Sequence, residues 1–292
     1  MSRWVDYWRA VSGRITWDRS LLRGAWTVPW LHWRGRRGRP AQRGTIAYWP
    51  QPGAPWYTMP LALCSTSLRE TRDLRAADAV MIFDDRTETT VALPDTDARL
   101  LNARATDISK SHVGDVFETV FGYPVTVDPV RHAGVMVEKS EENGVHDGRI
   151  VQGPLTAPRP GCLYQRLADS TVRDGVTEDL RCICVGGRLV LVFRKEKAAA
   201  ARFGTAYLGT TVREAQDCFS TEELSKIARF CDGIGLDFGS VDVVRDYPDA
   251  GRPYIVDVNK TCMPVLSMPV GALEPALRRI GTALEALVLS PR

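Results

Sequence analysis

Two aspartates and an asparagine lie in two strand-like segments near the end of the chain. Folding these segments about Asp249-Ala250 pairs Asp242 with Asp257. The same register pairs Ser240 with Asn259, and the two-residue period places the carboxylates and the amide on one face. Directly opposed carboxylates destabilise a sheet unless a cation compensates them. Because Mg²⁺ prefers carboxylate, water and phosphate oxygens, the pattern favours a magnesium–nucleotide site on Asp242, Asp257 and Asn259.

The other face of this hairpin is aliphatic, since the same register pairs Val243 with Val256. We expect that face to belong to the core. The polar face has a second interpretation, because Arg245 and Arg252 are close enough in sequence to neutralise the aspartates. An exposed polar face with arginine partners would need no metal, and the hairpin alone weighs the two interpretations equally.

Two lysines upstream of the hairpin have positions suited to phosphate binding. Lys110 opens a helical segment, and Lys139 ends an apolar, strand-like one. Residues 140–148 follow, and they include Asn143 and Gly144. A loop of small residues can wrap backbone N–H groups around phosphate oxygens, and lysine supplies positive charge. The order of these features along the chain carries more weight than any one of them.

Further basic residues on and beyond a predicted hairpin are candidates for binding an acidic substrate: Arg194, Lys195, Lys197 and Arg202. A solvated basic edge strand is an equally weighted interpretation, since charged side chains commonly protect sheet edges. Both interpretations stay open.

The elements that hold these residues follow from capping and periodicity. We expect a helix that starts at Asp107, its N-cap, and ends at Gly122. Ser220 and Glu223 form a capping box that begins a second helix. A third helix closes the chain, with one apolar stripe made of Leu273, Leu277, Ile280, Leu284 and Leu287.

Apolar and β-branched runs predict the strands. Gly186-Gly187 between two such runs is a strong hairpin signal. The predicted strands are Thr45–Trp49, Ala79–Phe83, Val125–Val127, Gly134–Val137, Leu180–Val185, Leu189–Phe193, Ser240–Arg245 and Tyr254–Asn259. From Thr45 onward, this mixture of helices and strands is an α/β pattern.

Composition limits the class of protein. The chain has 292 residues, of which 44% are hydrophobic and 25% charged, as in an ordinary globular protein. Its net charge of +3 is too small to indicate specific nucleic-acid binding. Seven cysteines without a CxxC pair, and four histidines, argue against a zinc ribbon or a disulfide framework. We find no P-loop, GxGxxG, GxSxG or HExxH motif, no signal peptide and no membrane-spanning run, and we expect a cytoplasmic protein.

The first 44 residues differ from the rest of the chain. They contain ten arginines, two aspartates and six of the eight tryptophans. One interpretation is a basic, aromatic arm that contacts a membrane surface, an anionic polymer or a partner. The interpretation we favour is an extension whose tryptophans pack on the body of the protein, with a flexible, solvated segment at residues 34–40.

In the order of its motifs, the chain resembles the ATP-grasp superfamily over residues 102–269. Lys110 and Lys139 are similar to the two phosphate lysines of that superfamily, the second of which ends a strand before a lid loop. Residues 163–167 look like the linker that reads the adenine edge. The resemblance therefore implies nucleotide contacts from Asn143, Gly144, Gln165, Arg166 and Leu167.

The remaining motifs lie further along the chain. Asp179-Leu180-Arg181 resembles the Asp-x-Arg strand of the superfamily, which implies that Arg181 faces the phosphates or the acceptor. Asp242 and Asp257-Val258-Asn259 resemble its metal hairpin. Most ligases of the superfamily have Glu-x-Asn there, whereas its inositol phosphate kinases have Asp-x-Asn. Lys260, directly after the motif, is expected to contact phosphate or an anionic substrate.

The resemblance implies an α+β chain with an ATP-grasp fold of two α+β subdomains. We expect one subdomain with the lid loop at residues 102–168 and one with the metal site at 169–292. A short α/β domain at 45–101, similar to a shortened pre-ATP-grasp domain, and the basic Trp-rich extension at 1–44 precede them.

The resemblance also implies ATP and Mg²⁺ as cofactors, with Lys139 and Arg181 as catalytic residues. The leading hypothesis is a ligase that phosphorylates a small-molecule carboxylate and transfers the acyl group to an amine or another nucleophile. The first alternative is a kinase that phosphorylates a hydroxyl of a sugar, polyol or glycan, and the second is a non-catalytic nucleotide-binding or scaffold protein. Expected partners are an anionic small-molecule acceptor and, at the arm, a membrane or polymer; a homodimer is also compatible with the sequence.

Overall fold

The computed structural model describes residues 19–145 and 147–291, with side chains from Trp26 onward. Within this part of the chain, two compact units are formed. The first contains the described residues up to Asp85, with Val91–Ala103 and residues 260–291. The second contains Arg86–Thr90 and Arg104–Asn259.

The described residues form helices and strands in nearly equal measure. The helices are α1 (Arg19–Arg36), α2 (Thr58–Leu63), α3 (Lys110–Phe121), α4 (Ala215–Cys218), α5 (Thr221–Ile234) and α6 (Val270–Leu289). The strands are β1 (Gly44–Pro50), β2 (Leu68–Glu70), β3 (Ala79–Phe83), β4 (Arg99–Leu101), β5 (Val135–Ser140), β6 (Arg149–Gln152), β7 (Cys162–Arg166), β8 (Thr171–Arg173), β9 (Val176–Val185), β10 (Arg188–Ala198), β11 (Gly209–Arg213), β12 (Phe238–Asp246) and β13 (Arg252–Asn259). The chain is therefore of the expected α+β class.

A four-stranded parallel sheet lies at the centre of the first unit, in the order β2-β1-β3-β4. Its two middle strands are largely buried, with Ala47 and Val80 fully inaccessible. Parallel strands need cover on both faces, which explains why these segments are continuous apolar runs without alternation. The strands predicted at 45–49 and 79–83 are confirmed.

The closing helix α6 buries one apolar stripe in the first unit. The stripe consists of Leu273, Leu277, Ile280 and Leu284, and it ends with Val288 in place of the predicted Leu287. Gly281 lies where α6 meets the residues of α2, and a Cβ there would be 2.5 Å from the carbonyl oxygen of Ala62. Only glycine permits so close a backbone approach.

Helix α1 has a buried face and an exposed face. It continues to Arg36, so the prediction of a flexible segment is wrong for residues 34–36. Its buried side chains are Thr27, Val28, Leu31 and His32. Trp26, Trp30 and Trp33 are 76%, 38% and 48% exposed, so the prediction that the tryptophans pack on the body is wrong for these three. The tryptophans at positions 4, 8 and 17 lie outside the described residues.

The second unit is built on a six-stranded antiparallel sheet in the order β11-β10-β9-β12-β13, with β8 paired to β9. The β9–β10 hairpin turns at Gly186 and Gly187, whose φ angles are 58° and 71°. A two-residue turn with two positive φ angles favours glycine, and the predicted hairpin is confirmed.

A separate three-stranded antiparallel sheet has the order β6-β5-β7. The strand predicted at Val125–Val127 is not formed, and this segment makes a single bridge, between Thr126 and Gln165. Pro124 and Pro129 flank this segment. Proline has no backbone N–H to donate to a sheet, so the stretch between them is too short to form a regular strand.

Helices α3 and α5 pack on the main sheet of the second unit. Their contribution to its core includes Val113, Phe117, Ile227 and Phe230. The capping box that begins α5 is confirmed, since Ser220 Oγ accepts from Glu223 N and the Glu223 carboxylate accepts from Ser220 N. The helix ends at Gly235, which has a φ of 74°.

The start of α3 differs from the prediction. Ser109 is the N-cap, and its Oγ accepts from His112 N. Asp107 lies before the helix and stabilises the turn that leads into it, since its Oδ1 accepts from Ser109 N at 2.7 Å. Asp107 and Ser109 are both residue types that cap helices, and α3 begins after Ser109, which makes Lys110 its first residue.

All seven cysteines are free thiols in the structure. Among the described residues, no helix is both long and apolar enough to cross a membrane.

Candidate active site

The β12–β13 hairpin brings the predicted metal ligands together. Asp242 lies opposite Asp257, and Ser240 lies opposite Asn259, as the constant-sum register predicts. Directly after Asp242 the register shifts by one residue. Val243 therefore faces Ile255, and the predicted pairing with Val256 is wrong. A bulge of this kind bends a strand and redirects the side chains beside it, and it lies at the aspartate pair.

A third strand adds a positive charge to the pair. Arg181 of β9 lies directly across from Asp242, so that Arg181, Asp242 and Asp257 form a row over three strands. Arg181 Nε donates to Asp242 Oδ1 at 3.0 Å, and its Nη2 donates to Oδ2 at 2.9 Å. This two-point ion pair is largely buried, a geometry in which guanidinium and carboxylate bind strongly.

Two lysines of β10 extend the charged cluster on the same face. Lys195 Nζ lies 2.6 Å from Asp179 Oδ1 and 3.5 Å from Asp242 Oδ1, and its side chain is only 2% exposed. Lys197 Nζ lies 2.9 Å from Asp179 Oδ2. Sequence reasoning did not single out Asp179 as a site residue. Asp179 could have been predicted from its position two residues before Arg181, because side chains two apart lie on the same face of a strand.

The other two predicted substrate residues are elsewhere. Arg194 pairs with Glu178 and lies 3.6 Å from Glu196, on the opposite face of β10 from the two lysines. Arg202 Nη2 donates to the carbonyl oxygen of Ala168 at 2.8 Å. The structure therefore brings Lys195 and Lys197 to the aspartates and does not bring Arg194 or Arg202 there.

The two arginines that the sequence suggested as partners for the aspartates, Arg245 and Arg252, bind other carboxylates instead. Arg245 forms a two-point pair with Glu223, at 3.0 and 2.9 Å. Arg252 Nε lies 3.2 Å from Asp249 Oδ2, within the turn region. The neutralising arginine is instead Arg181, contributed by a different hairpin.

The two facing aspartates differ in their electrostatics. Burial by itself would raise the pKa of Asp242, but the charges of Arg181 and Lys195 and the hydrogen bonds from Arg181 hold that pKa well below its usual range. Burial raises the pKa of Asp257, and the charge of Asp242 adds to this despite the attraction of Lys110. The positive charges around Asp257 are therefore too weak to offset its burial, unlike those around Asp242.

The phosphate lysines lie in the same unit. Lys139, near the end of β5, is half-buried, and burial lowers its pKa to about 8, with a further lowering from the charge of Lys110. The charges of Asp257 and Asp242 act in the opposite direction. Lys110 is buried at the start of α3, and its Nζ donates to the carbonyl oxygen of Glu142 at 2.9 Å. This bond ties the helix start to the loop after Lys139.

One face of the three-stranded sheet presents apolar groups beside Lys139. The register places Val137, Lys139, Leu163 and Ile150 on the same side as Gln165. Ile150 is half-exposed, whereas Gln165 is buried. Among the described residues, neither the amide nitrogen nor the amide oxygen of Gln165 has a hydrogen-bond partner. A buried amide without partners costs free energy and suits a ligand that both donates and accepts.

The other predicted nucleotide residues are more scattered. Asn143 N donates to Thr87 Oγ1 at 2.8 Å, and Gly144 has a φ of 77° in the same loop. Arg166 is exposed with its Nε 3.9 Å from Asp246 Oδ2, and Leu167 is half-buried. Lys260 is buried in the first unit, where its carbonyl oxygen accepts from Asn102 Nδ2 at 3.3 Å.

The donor set of the hairpin fits a hard cation such as Mg²⁺. Asn259 Nδ2 donates to Asp257 Oδ2 at 3.2 Å, so its amide lies against the carboxylate. Ser240 Oγ, opposite Asn259, is fully buried and has no hydrogen-bond partner within the described part of the chain. The described residues contain no group of three or more His, Cys, Asp or Glu side chains able to hold a metal. A cation here would need the asparagine and phosphate oxygens to complete its shell.

Comparisons with known proteins rest on structure. No protein-family model matches the chain, and no curated protein does. The ATP-grasp ligase PsnB in complex with a minimal precursor, Mg and ADP matches with a TM-score of 0.50 and 14% identity, over 83% of this chain and all of that one. D-alanine–D-alanine ligase from Bacillus anthracis, complexed with ATP, has a TM-score of 0.49 and 10% identity, over 85% and 98%.

A further PsnB complex, with a phosphomimetic precursor variant, Mg and ADP, matches with a TM-score of 0.46 and 17% identity. That match covers 66% of this chain and 62% of the PsnB chain in that complex, so in this alignment the chain spans less than two thirds of the length of PsnB. Identities this low establish architecture only. The match that covers all of the PsnB chain and 83% of this one shows that this chain has the ATP-grasp fold.

Proposed function

We propose that this chain is an ATP-dependent ligase that phosphorylates a carboxylate on its acceptor and transfers the resulting acyl group to a nucleophile. The observation that carries the proposal is the row of Arg181, Asp242 and Asp257 across three strands, with Lys195 beside it. An ATP-grasp fold, and a half-buried Asp257 carboxylate whose hydrogen-bond donor in the described part of the chain is the Asn259 amide, both support Mg-ATP binding.

In the proposed reaction an acceptor carboxylate oxygen attacks the γ-phosphorus of ATP. The bond from that phosphorus to the bridging oxygen breaks, and ADP leaves. The nucleophile, for example an amine, then attacks the acyl carbon, loses a proton and displaces inorganic phosphate. Such chemistry depends on alignment and charge neutralisation and needs no protein nucleophile.

Each residue of the cluster has a proposed role. Asp257 and Asn259, with Asp242, would hold Mg²⁺, which supplies charge neutralisation to the phosphate oxygens. Lys110 and Lys139 bind phosphate oxygens through their ammonium groups. Arg181 stays paired with Asp242 and adds positive potential where negative charge develops on the transferred group.

The nucleotide base has a proposed place on the three-stranded sheet. Ile150 and Val137 offer apolar contact, and the buried amide of Gln165 can donate to and accept from the edge of adenine. An amide pairs with two adjacent groups of adenine in this way. Arg166, Leu167, Asn143 and Gly144 are proposed as contacts nearer the linker and the loop, and Lys260 as a contact to an anionic group.

The acceptor is proposed from charge. Lys195 and Lys197 flank Asp179 on the same face as the aspartate row, so an acidic group is the chemistry that fits beside them. One PsnB complex contains a precursor peptide, and a peptide side chain offers the same carboxylate as a free small acid. Both belong in an acceptor screen.

Thermal unfolding with and without Mg-ATP tests the nucleotide site. At about 100 times its dissociation constant, a ligand stabilises the native state by about 2.7 kcal/mol. We expect a magnesium-dependent rise of that size in the wild type, and its loss in Asp257→Asn and Lys139→Ala. Asp249→Asn, in the turn of the same hairpin, is the matched control and should keep the rise. A wild type that shows no shift with saturating Mg-ATP would rule the proposal out.

Product analysis tests the reaction. A ligase releases ADP and inorganic phosphate in equal amounts, only when carboxylate and nucleophile are both present. Hydroxylamine should trap the acyl phosphate as a hydroxamate when the natural nucleophile is left out. ADP formation with no free phosphate and a stable phosphoester would instead identify a kinase, the alternative that the Asp-x-Asn motif raised.

A further inference from the structure

Helix α1 presents a face of tryptophans that the proposed catalytic function does not use. Trp26, Trp30 and Trp33 follow one another at intervals of four and three residues, so they share one side of the helix. The opposite side is buried, through Val28 and Leu31, and a Cβ on Gly35 would be 2.6 Å from Cys64 Cβ. The helix is therefore held to the first unit on one side and exposes indole rings on the other.

The tryptophan face is strongly basic. Arg37 stacks over the ring of Trp33 at 3.8 Å, and Arg34 lies 5.9 Å from the centre of the Trp30 ring while its Nε is 3.5 Å from Glu274. The sequence contains no aspartate or glutamate between residues 19 and 69.

Charge is separated along the whole chain. Ten arginines and two aspartates give the first 44 residues a charge of +8. Since the whole chain carries +3, residues 45–292 carry −5, the difference between +3 and +8. Positive charge is therefore concentrated in the part of the chain that also exposes tryptophan, and it is complementary to a negatively charged partner.

We propose that the face formed by Trp26, Trp30, Trp33, Arg36 and Arg37 docks the chain on an anionic lipid surface. Tryptophan favours the boundary between headgroups and acyl chains, because its ring is apolar and its N–H is polar. Arginine adds attraction to anionic headgroups. The buried side of α1 keeps the helix parallel to the surface of the first unit, so only its exposed side enters the interface.

Ring geometry favours lipid over nucleic acid. A nucleic-acid surface of this type would stack bases on the tryptophan faces. The guanidinium of Arg37 already covers one face of Trp33. That face of Trp33 is therefore not open to a base. An amphipathic indole ring at headgroup level is the usual arrangement of an interfacial anchor.

Vesicle binding tests the proposal with the full chain. We expect co-sedimentation with vesicles of equal phosphatidylglycerol and phosphatidylcholine, a blue shift of tryptophan emission, and weaker binding as salt rises. Pure phosphatidylcholine vesicles should bind much less. The triple variant Trp26→Ser, Trp30→Ser, Trp33→Ser should lose roughly tenfold or more in partition coefficient. Leu208→Ser, an exposed apolar residue of the second unit, is the matched control and should bind as the wild type does.

Further measurements keep the test decisive. Arg36→Gln with Arg37→Gln should weaken binding and flatten its salt dependence. If the triple variant does not fold, Trp26→Ser alone replaces it, because that side chain is the most exposed of the three. Mg-ATP stabilisation should be unchanged in all these variants, so a failure here is separable from a failure of the proposed ligase function.

Three results would overturn the proposal. The first is an absence of binding to phosphatidylglycerol vesicles. The second is binding of a single-stranded oligonucleotide, lost in the tryptophan variants, without vesicle binding. The third is a concentration-dependent dimer, lost in the same variants, without vesicle binding.

Discussion

At the scale of single residues, the two facing aspartates have opposite surroundings. Asp242 is held by two hydrogen bonds from Arg181 and lies near Lys195. For Asp257, the structure shows one donor, the amide of Asn259 at 3.2 Å. The first carboxylate is therefore neutralised by side chains of the protein, whereas the second forms no ion pair within the described part of the chain.

This asymmetry predicts different outcomes for two equivalent substitutions. Asp242→Asn should lower the free energy of unfolding by about 3 kcal/mol, because it leaves Arg181 buried without its carboxylate. Asp257→Asn should leave stability unchanged or raise it, since it removes a repulsive charge. Both variants should lose Mg-ATP binding. Urea unfolding without ligand measures the difference, and equal destabilisation by the two substitutions would contradict the assignment.

A second residue-scale prediction concerns Lys139, whose pKa burial lowers to about 8. At pH 8 about half of the free protein carries an uncharged Lys139, and a phosphate group binds the charged form. We expect Mg-ATP binding at pH 8 to take up about half a proton, and affinity to fall as pH rises further. Calorimetry in buffers of different ionisation enthalpy measures the uptake. Lys139→Arg should abolish it, because arginine stays protonated; unchanged uptake in that variant would place the titrating group elsewhere.

At the scale of elements, one ion pair joins α5 to β12. The Glu223 carboxylate completes the capping box of α5, and it also accepts two bonds from Arg245. Burial alone would raise the pKa of Glu223, but the bonds from Arg245 and Ser220 lower it overall. A helix start and a strand of the site are therefore stabilised by the same group.

The lowered pKa sets the pH range of that stabilisation. A carboxyl with a depressed folded-state pKa stabilises fully above its unfolded value, near 4.3, and the effect is lost as pH falls through the folded value. Glu223→Gln should cost about 1–2 kcal/mol at pH 7 and progressively less in acid. Glu222→Gln, exposed one residue earlier, is the control and should change stability by under about 0.5 kcal/mol. A Glu223→Gln deficit that stays constant down to pH 3 would exclude this ion pair as its origin.

At the scale of the whole molecule, the residues proposed to hold the metal, together with Lys110 and Lys139, belong to the second unit. Mg-ATP should therefore slow hydrogen exchange mainly in the strands that carry Lys139, Gln165, Asp242 and Asp257. The parallel strands β1 and β3 should show little change. Mass spectrometry of the exchanged peptides measures this. Protection concentrated in the parallel sheet would move the nucleotide site to the first unit.

Local patterns in the sequence were enough to predict much of the second unit. The capping box of Ser220 and Glu223, the glycine turn at residues 186–187 and the opposition of Asp242 to Asp257 all appear as expected. Each depends on residues near one another in the chain, so capping, turn chemistry and a period of two describe it. Each motif of the ATP-grasp resemblance is likewise a short segment, so the order of the motifs could be recognised in the sequence. The predicted ATP-grasp fold is confirmed.

The partners of these residues depended on contacts between distant segments. Arg181, and neither nearby arginine, neutralises Asp242, because the sheet places β9 beside β12. The bulge after Asp242 and the separation of Lys195 from Arg194 also follow from how whole strands pair. The composition of the first 44 residues showed that tryptophan is concentrated there. Which side of helix α1 is buried depends on how the helix packs within the first unit. Short-range patterns are properties of a segment, whereas partners, bulges and exposed faces are properties of its neighbours in space, and only the folded chain specifies those.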